Sequence, residues 1–217
     1  MPTSLKGSER RKARVRKAFQ ESAKVRFEGN NYSDAWVKEA KKRGLLNLRR
    51  TPEALAQMMT KESRELFTSL GILSKEELES RYNVRVERYI KDMLIELHTL
   101  EQIAHTQILP AALGYAGDLA KAAAEAKSAG ISATAHVAAA NEVGKLTSAL
   151  QRSLGTLRKA IEKAEHMHDD PPGCAAFLTS TGADAMAEVR DACDALELRV
   201  EDSRWPLPKY REILFPV

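Results

Sequence analysis

SKEELESRYNVRVERYIKDMLIELHTLEQIAHTQILP, residues 74–110, combines a helix-start signal with a long apolar stripe. It opens on Ser74-Lys75-Glu76-Glu77, where the Ser74 hydroxyl can accept from the amide of Glu77 while the Glu77 carboxylate returns to the amide of Ser74. Such a capping box starts a helix. Apolar positions then step by four or three, through Leu78, Tyr82, Val86, Tyr89, Met93, Leu97, Leu100, Ala104 and Ile108, with Ile90, Leu94 and Ile103 widening the stripe. That face must be buried. Pro110 withdraws one backbone donor and crowds the turn before it, yet residues 111–129 have strong helix propensity. The pattern therefore predicts a kink at Pro110 and a true end at Gly130.

A second rod is predicted from about Ala133 to Met167, with Val137, Val143, Leu146, Leu150, Leu154, Leu157 and Ile161 on one side. Asp169-Asp170-Pro171-Pro172-Gly173 breaks the chain. A third rod from about Cys174 to Asp202 carries Met186, Val189, Cys193, Leu196 and Val200, which places Cys193 in a core seam. At about 1.5 Å per residue, residues 75–109 and the second rod are each roughly 52 Å long and the third roughly 44 Å. Matched lengths and short connections at 130–132 and 168–173 predict antiparallel neighbours. The expected fold is all-α: an up-down-up helical bundle with a long Pro-kinked first helix, preceded by short helices and a basic N-terminal arm.

Upstream, Ser33 is expected to cap a helix over Asp34–Arg43 that ends in a left-handed turn at Gly44. Thr51-Pro52 repeats the signal, with the Thr51 hydroxyl as cap and a helix from about Pro52 to Thr60. A third short helix over Glu62–Leu70 should stop at Gly71. Four segments follow: a mobile basic arm over 1–26, short helices and loops over 27–73, the bundle over 74–204 and a docking tail over 205–217.

Charge is uneven. Residues 1–50 hold 15 Lys or Arg against 5 Asp or Glu, net +10, so the remainder of a chain of net charge +4 carries −6. The basic stretch around Glu9 to Lys17 has too few large apolar side chains to bury a face. It could grip phosphate backbones, but no aromatic precedes Phe19 to stack a base, and a nucleic-acid partner is disfavoured. No apolar run approaches the ~20 residues that span a bilayer, and the first residues lack the apolar middle of a secretion signal, so a cytoplasmic protein with no membrane partner is expected. Two cysteines, Cys174 and Cys193, are too few for a disulfide framework and read as free thiols.

Catalytic signatures are scarce. The sequence has no glycine-rich phosphate loop, no Cys-x-x-Cys pair, no nucleophile elbow and no His-Glu-x-x-His pair. His98, Glu101 and His105 share one side of a helix at metal-ligand spacing, but they sit at the polar border of the stripe, where solvation or bonding across the bundle is the stronger reading. His166 and His168 suit the negative end of a helix better than a metal clip of His168, Asp169 and Asp170. The alanine-rich stretch 111–140 reads as a close helix-packing surface. In the tail, two prolines hold Trp205-Pro206-Leu207-Pro208 extended, and Trp205, Leu207, Tyr210, Leu214 and Phe215 carry too much apolar surface to leave in water. These five are the candidate docking residues, either onto the bundle or onto a neighbouring chain.

Six ordered blocks resemble the C-terminal part of type III glutamine synthetases. They are Phe27-Glu28-Gly29-Asn30-Asn31-Tyr32-Ser33-Asp34-Ala35-Trp36, Asn47-Leu48-Arg49-Arg50-Thr51-Pro52-Glu53-Ala54-Leu55, Leu66-Phe67 through Ser74, Glu79-Ser80-Arg81-Tyr82, Thr106-Gln107-Ile108-Leu109-Pro110-Ala111-Ala112, and Trp205 to Phe215. The resemblance covers about residues 24–217. It implies a parent reaction in nitrogen metabolism, the ATP-dependent amidation of glutamate to glutamine through a γ-glutamyl phosphate, with a divalent metal, Mg or Mn. It also implies that the ligand-binding residues belong to a strand-rich catalytic domain upstream, so no catalytic, metal or cofactor-binding residue carries over, no cofactor is expected in this chain and the chain alone should be inactive. Segment 27–73 would then link to that catalytic domain. The expected partners are the catalytic domain or other copies of the chain, because family members form large rings.

Overall fold

The computed structural model describes residues 3–208 and 210–214. The chain divides into two compact units, residues 1–49 and 50–217, with the boundary inside the segment 27–73. Among the described residues there are helices and turns but no strand, as an all-α fold requires.

In the first unit, α1 spans Thr3–Glu21 and α2 spans Asp34–Lys42. The basic stretch is thus helical, and from residue 8 onward every side chain of α1 is exposed, in keeping with its lack of an apolar face. Ser33 caps α2 by accepting from the Trp36 amide, and Gly44 (φ 70°) supplies the left-handed residue that ends it. Phe27 and Trp36 meet with ring centroids 4.5 Å apart. Arg43 holds the unit together, donating to the carbonyls of Ala23 (3.0 Å) and Arg26 (2.6 Å) and pairing with Glu39 at 2.8 Å. That pairing pulls the Glu39 carboxyl below its usual range.

The second unit starts with α3 (Thr51–Ala56), which runs through a 3₁₀ turn at Gln57–Met59 to α4 (Lys61–Ser69). Thr51 is not the cap. Arg50, with extended backbone, occupies that position, Thr51 is already helical, and no side chain satisfies the first amides. The helix expected to reach Thr60 ends at Ala56, and Thr60 instead caps α4 by accepting from the Ser63 amide at 3.3 Å.

The first rod is α5 (Lys75–Ile103), a π-helical turn (Ala104–Ile108) and α6 (Leu109–Ser128). Both halves of the Ser74–Glu77 capping box are present, at 3.1 and 2.8 Å. The disturbance caused by Pro110 lies one turn upstream: the Leu109 amide reaches five residues back to the Ala104 carbonyl, and the Thr106 hydroxyl donates to the Gln102 carbonyl at 2.7 Å. A π turn absorbs the missing donor without ending the rod. Gly130 (φ 72°) closes it.

The second rod is α7 (Thr134–Glu165), and the third comprises α8 (Pro171–Phe177), a second π turn (Leu178–Gly182) and α9 (Ala183–Glu197). The third begins three residues before the expected Cys174, because Asp170 caps it by accepting from the Gly173 amide at 3.0 Å. Cross-links give the directions. His98 lies against Glu165 and Glu101 against Arg158, so numbers rise on α5 as they fall on α7. Cys174 Sγ meets the Ala164 carbonyl and Arg199 pairs with Glu142, so the third rod also opposes α7. The core along these rods holds Leu97, Ile108, Leu150, Leu157, Leu178, Val189, Cys193 and Leu196, while Val137, expected inside, is 37% exposed. The segment ends in a 3₁₀ turn (Asp202–Arg204) and a short α10 (Tyr210–Leu214).

Candidate functional site

The tail divides into a covered and an uncovered part. Trp205 is 8% exposed and joins the core, and Leu207 packs against it half-buried. Arg204 fixes this stretch by pairing with Asp118 on α6 and with Glu201 at 3.4 Å. A Cβ on Gly114 would stand 3.8 Å from the Arg204 guanidinium, an ordinary contact distance, so Arg204 lies alongside α6 at this point. The Trp205 indole N–H is enclosed and has no acceptor among the described residues. Beyond it, Ile213 (62%) and Leu214 (65%) project into solvent. The Tyr210 side chain and all of Phe215 lie outside what the structure describes.

The polar border of the rods is committed to cross-rod bonds. His98 Nε2 lies 3.0 Å from Glu165, and Arg158 donates to Glu101 at 2.8 Å, which raises the Arg158 pKa. His105, the third member of the spaced trio, is exposed. His166 Nδ1 sits 2.6 Å from the Glu162 carbonyl, and Asp170 serves as a helix cap, apart from the His168–Asp169 pair at 3.6 Å. Among the described residues no group of three or more His, Cys, Asp or Glu is placed to hold a metal ion. Likewise, no helix is long and apolar enough to cross a membrane.

One feature escaped the sequence. The second π turn leaves the Thr179 carbonyl accessible, and Arg50, 129 residues earlier, donates to it; Tyr89 OH lies 2.5 Å from the Thr179 hydroxyl. Arg50 and Thr179 edge a cavity of about 460 Å³ between α3, α5 and α8. The available signal was Thr179-Ser180-Thr181-Gly182, four poor helix formers inside a predicted rod. Both cysteines are buried free thiols.

Three relatives give this geometry a family. The chain is 31% identical over 210 residues to "Glutamine synthetase" of Butyrivibrio fibrisolvens, covering 94% of this chain and 30% of that protein. It is 32% identical over 200 residues to "Glutamine synthetase" of Bacteroides fragilis (strain YCH46), covering 89% and 27%. It is 34% identical over 212 residues to "Type-3 glutamine synthetase" of Dictyostelium discoideum, covering 93% and 28%. The chain thus spans under a third of the length of the curated relatives it matches. The family model described as "Glutamine synthetase C-terminal domain" matches residues 12–127. Its match starts inside the basic helix, which the six sequence blocks had left out. With more than half of its residues inside that match, this chain belongs to the glutamine synthetase C-terminal domain family.

Proposed function

We propose that the chain is a structural and assembly domain of the type III glutamine synthetase kind, and that amidation of glutamate with ATP and a divalent metal is carried out by a catalytic domain outside it. The observation that carries this reading is the asymmetry of coverage: about nine-tenths of this chain is used by each match, against 27–30% of each relative. The exposed Ile213 and Leu214 at the end of the docked tail favour a contact role, since paired aliphatics gain by leaving water. The family match over the basic helix from residue 12 favours treating that helix as part of the same module and not as a separate nucleic-acid reader. A cytoplasmic location accords with this role.

The test is γ-glutamyl transfer, assayed with the chain alone, with the part of the Dictyostelium discoideum relative outside the matched segment, and with both together. The reading expects no turnover by the chain alone and a gain when the two are combined. Turnover by the purified chain, or a relative's portion indifferent to its presence, contradicts it.

A further inference from the structure

The cavity beside the second π turn has a composition that points beyond assembly. Its walls include Val86, Ala56, Ala175 and Ala176, and two prolines, Pro52 and Pro172, which bring no backbone N–H. Tyr82 contributes an aromatic ring. The Ser180 hydroxyl is already committed to the Ala176 carbonyl at 2.9 Å. The lining holds one cation, Arg50, and one anion, Glu53, both at the start of α3. Among the described residues neither belongs to an ion pair.

Arg50 is also held in place. One of its N–H groups goes to the Thr179 carbonyl, and Thr179 is in turn buried and met by Tyr89. A guanidinium carries five N–H donors in a rigid fork, so the remaining ones can take a carboxylate. Glu53 would repel a dianion or a simple carboxylate but welcomes an ammonium. The volume lies within the range of small-molecule sites, and π turns recur at functional positions because they interrupt regular hydrogen bonding.

We propose that this cavity binds a small zwitterion with an apolar body, an apolar α-amino acid, with its carboxylate on Arg50, its ammonium on Glu53 and its side chain against Tyr82, Val86 and Pro172. The site is on the chain itself and does not depend on assembly, so it stands or falls separately from the function proposed above.

Calorimetric titration of the full chain tests it with L-phenylalanine, N-acetyl-L-phenylalanine and L-phenylalaninamide. Saturable binding of L-phenylalanine is expected, and each blocked analogue should bind at least about tenfold more weakly, the loss of one charge-assisted contact. Glu53→Gln, at an exposed position, should weaken L-phenylalanine about tenfold and leave the N-acetyl compound unchanged, with the thermal melt confirming an intact fold. Absence of saturable binding, equal affinity for the blocked analogues, or no effect of Glu53→Gln would each overturn the proposal.

Discussion

Cys193 shows what burial does to one side chain. It lies in the α9 seam, 5% exposed, among Val189 and Leu196. Burial, with a smaller contribution from the Asp194 charge, pushes its thiol from 9.0 up to about 11. The native state therefore keeps a proton that the unfolded chain gives up, so this contribution to stability is whole below about pH 9 and is lost as pH rises toward 11. Urea unfolding at pH 7 and pH 10.5 should show wild type losing roughly 2 kcal/mol more than Cys193→Ala over that interval. Parallel losses in the two proteins would contradict the assignment. The seam position was legible from the three-and-four spacing around Cys193. Arg50 was not, because its acceptor is a carbonyl freed only by a tertiary irregularity far along the chain.

At the scale of elements, punctuation written in side-chain chemistry transferred well: Ser33, Ser74 with Glu77, and Gly130 each end or begin a helix as their local bonding dictates. Prolines transferred less well. Thr51-Pro52 and Pro171-Pro172 both allow a helix to start on either side; α3 starts at Thr51 without a side-chain cap, whereas a side chain one step upstream fixes the start of the third rod. At the third rod that side chain is Asp170, and a Cβ on Gly173 would come within 2.0 Å of its carboxylate. Asp170→Ala should cost about 1 kcal/mol. Gly173→Ala gains helix propensity but displaces the cap, so it should be nearly neutral in the native background and stabilising by about 0.5–1 kcal/mol in the Asp170→Ala background. Chemical denaturation of the four proteins measures this, and an identical effect in both backgrounds would rule out the coupling. The two π turns escaped prediction for a similar reason, since hydrophobic spacing survives a single inserted residue while the backbone ladder does not.

For the molecule as a whole, the three-rod architecture followed from stripe periodicity and connection length, because in a helical chain those two quantities nearly fix which neighbours oppose. The tail was legible as an apolar segment needing cover, but how the cover divides was not: Trp205 and Leu207 found it on their own rods, where Asp118 anchors Arg204, while Ile213 and Leu214 did not. That remaining exposure, together with a match using most of this chain and under a third of each relative, is the basis for an assembly role. Its most direct test is the mass, by light scattering after size separation, of the chain mixed with the part of the Dictyostelium discoideum relative outside the matched segment. The account predicts one co-eluting species heavier than either component, reduced by Leu214→Asp; two components eluting apart at their separate masses, with the chain a strict monomer, would contradict it.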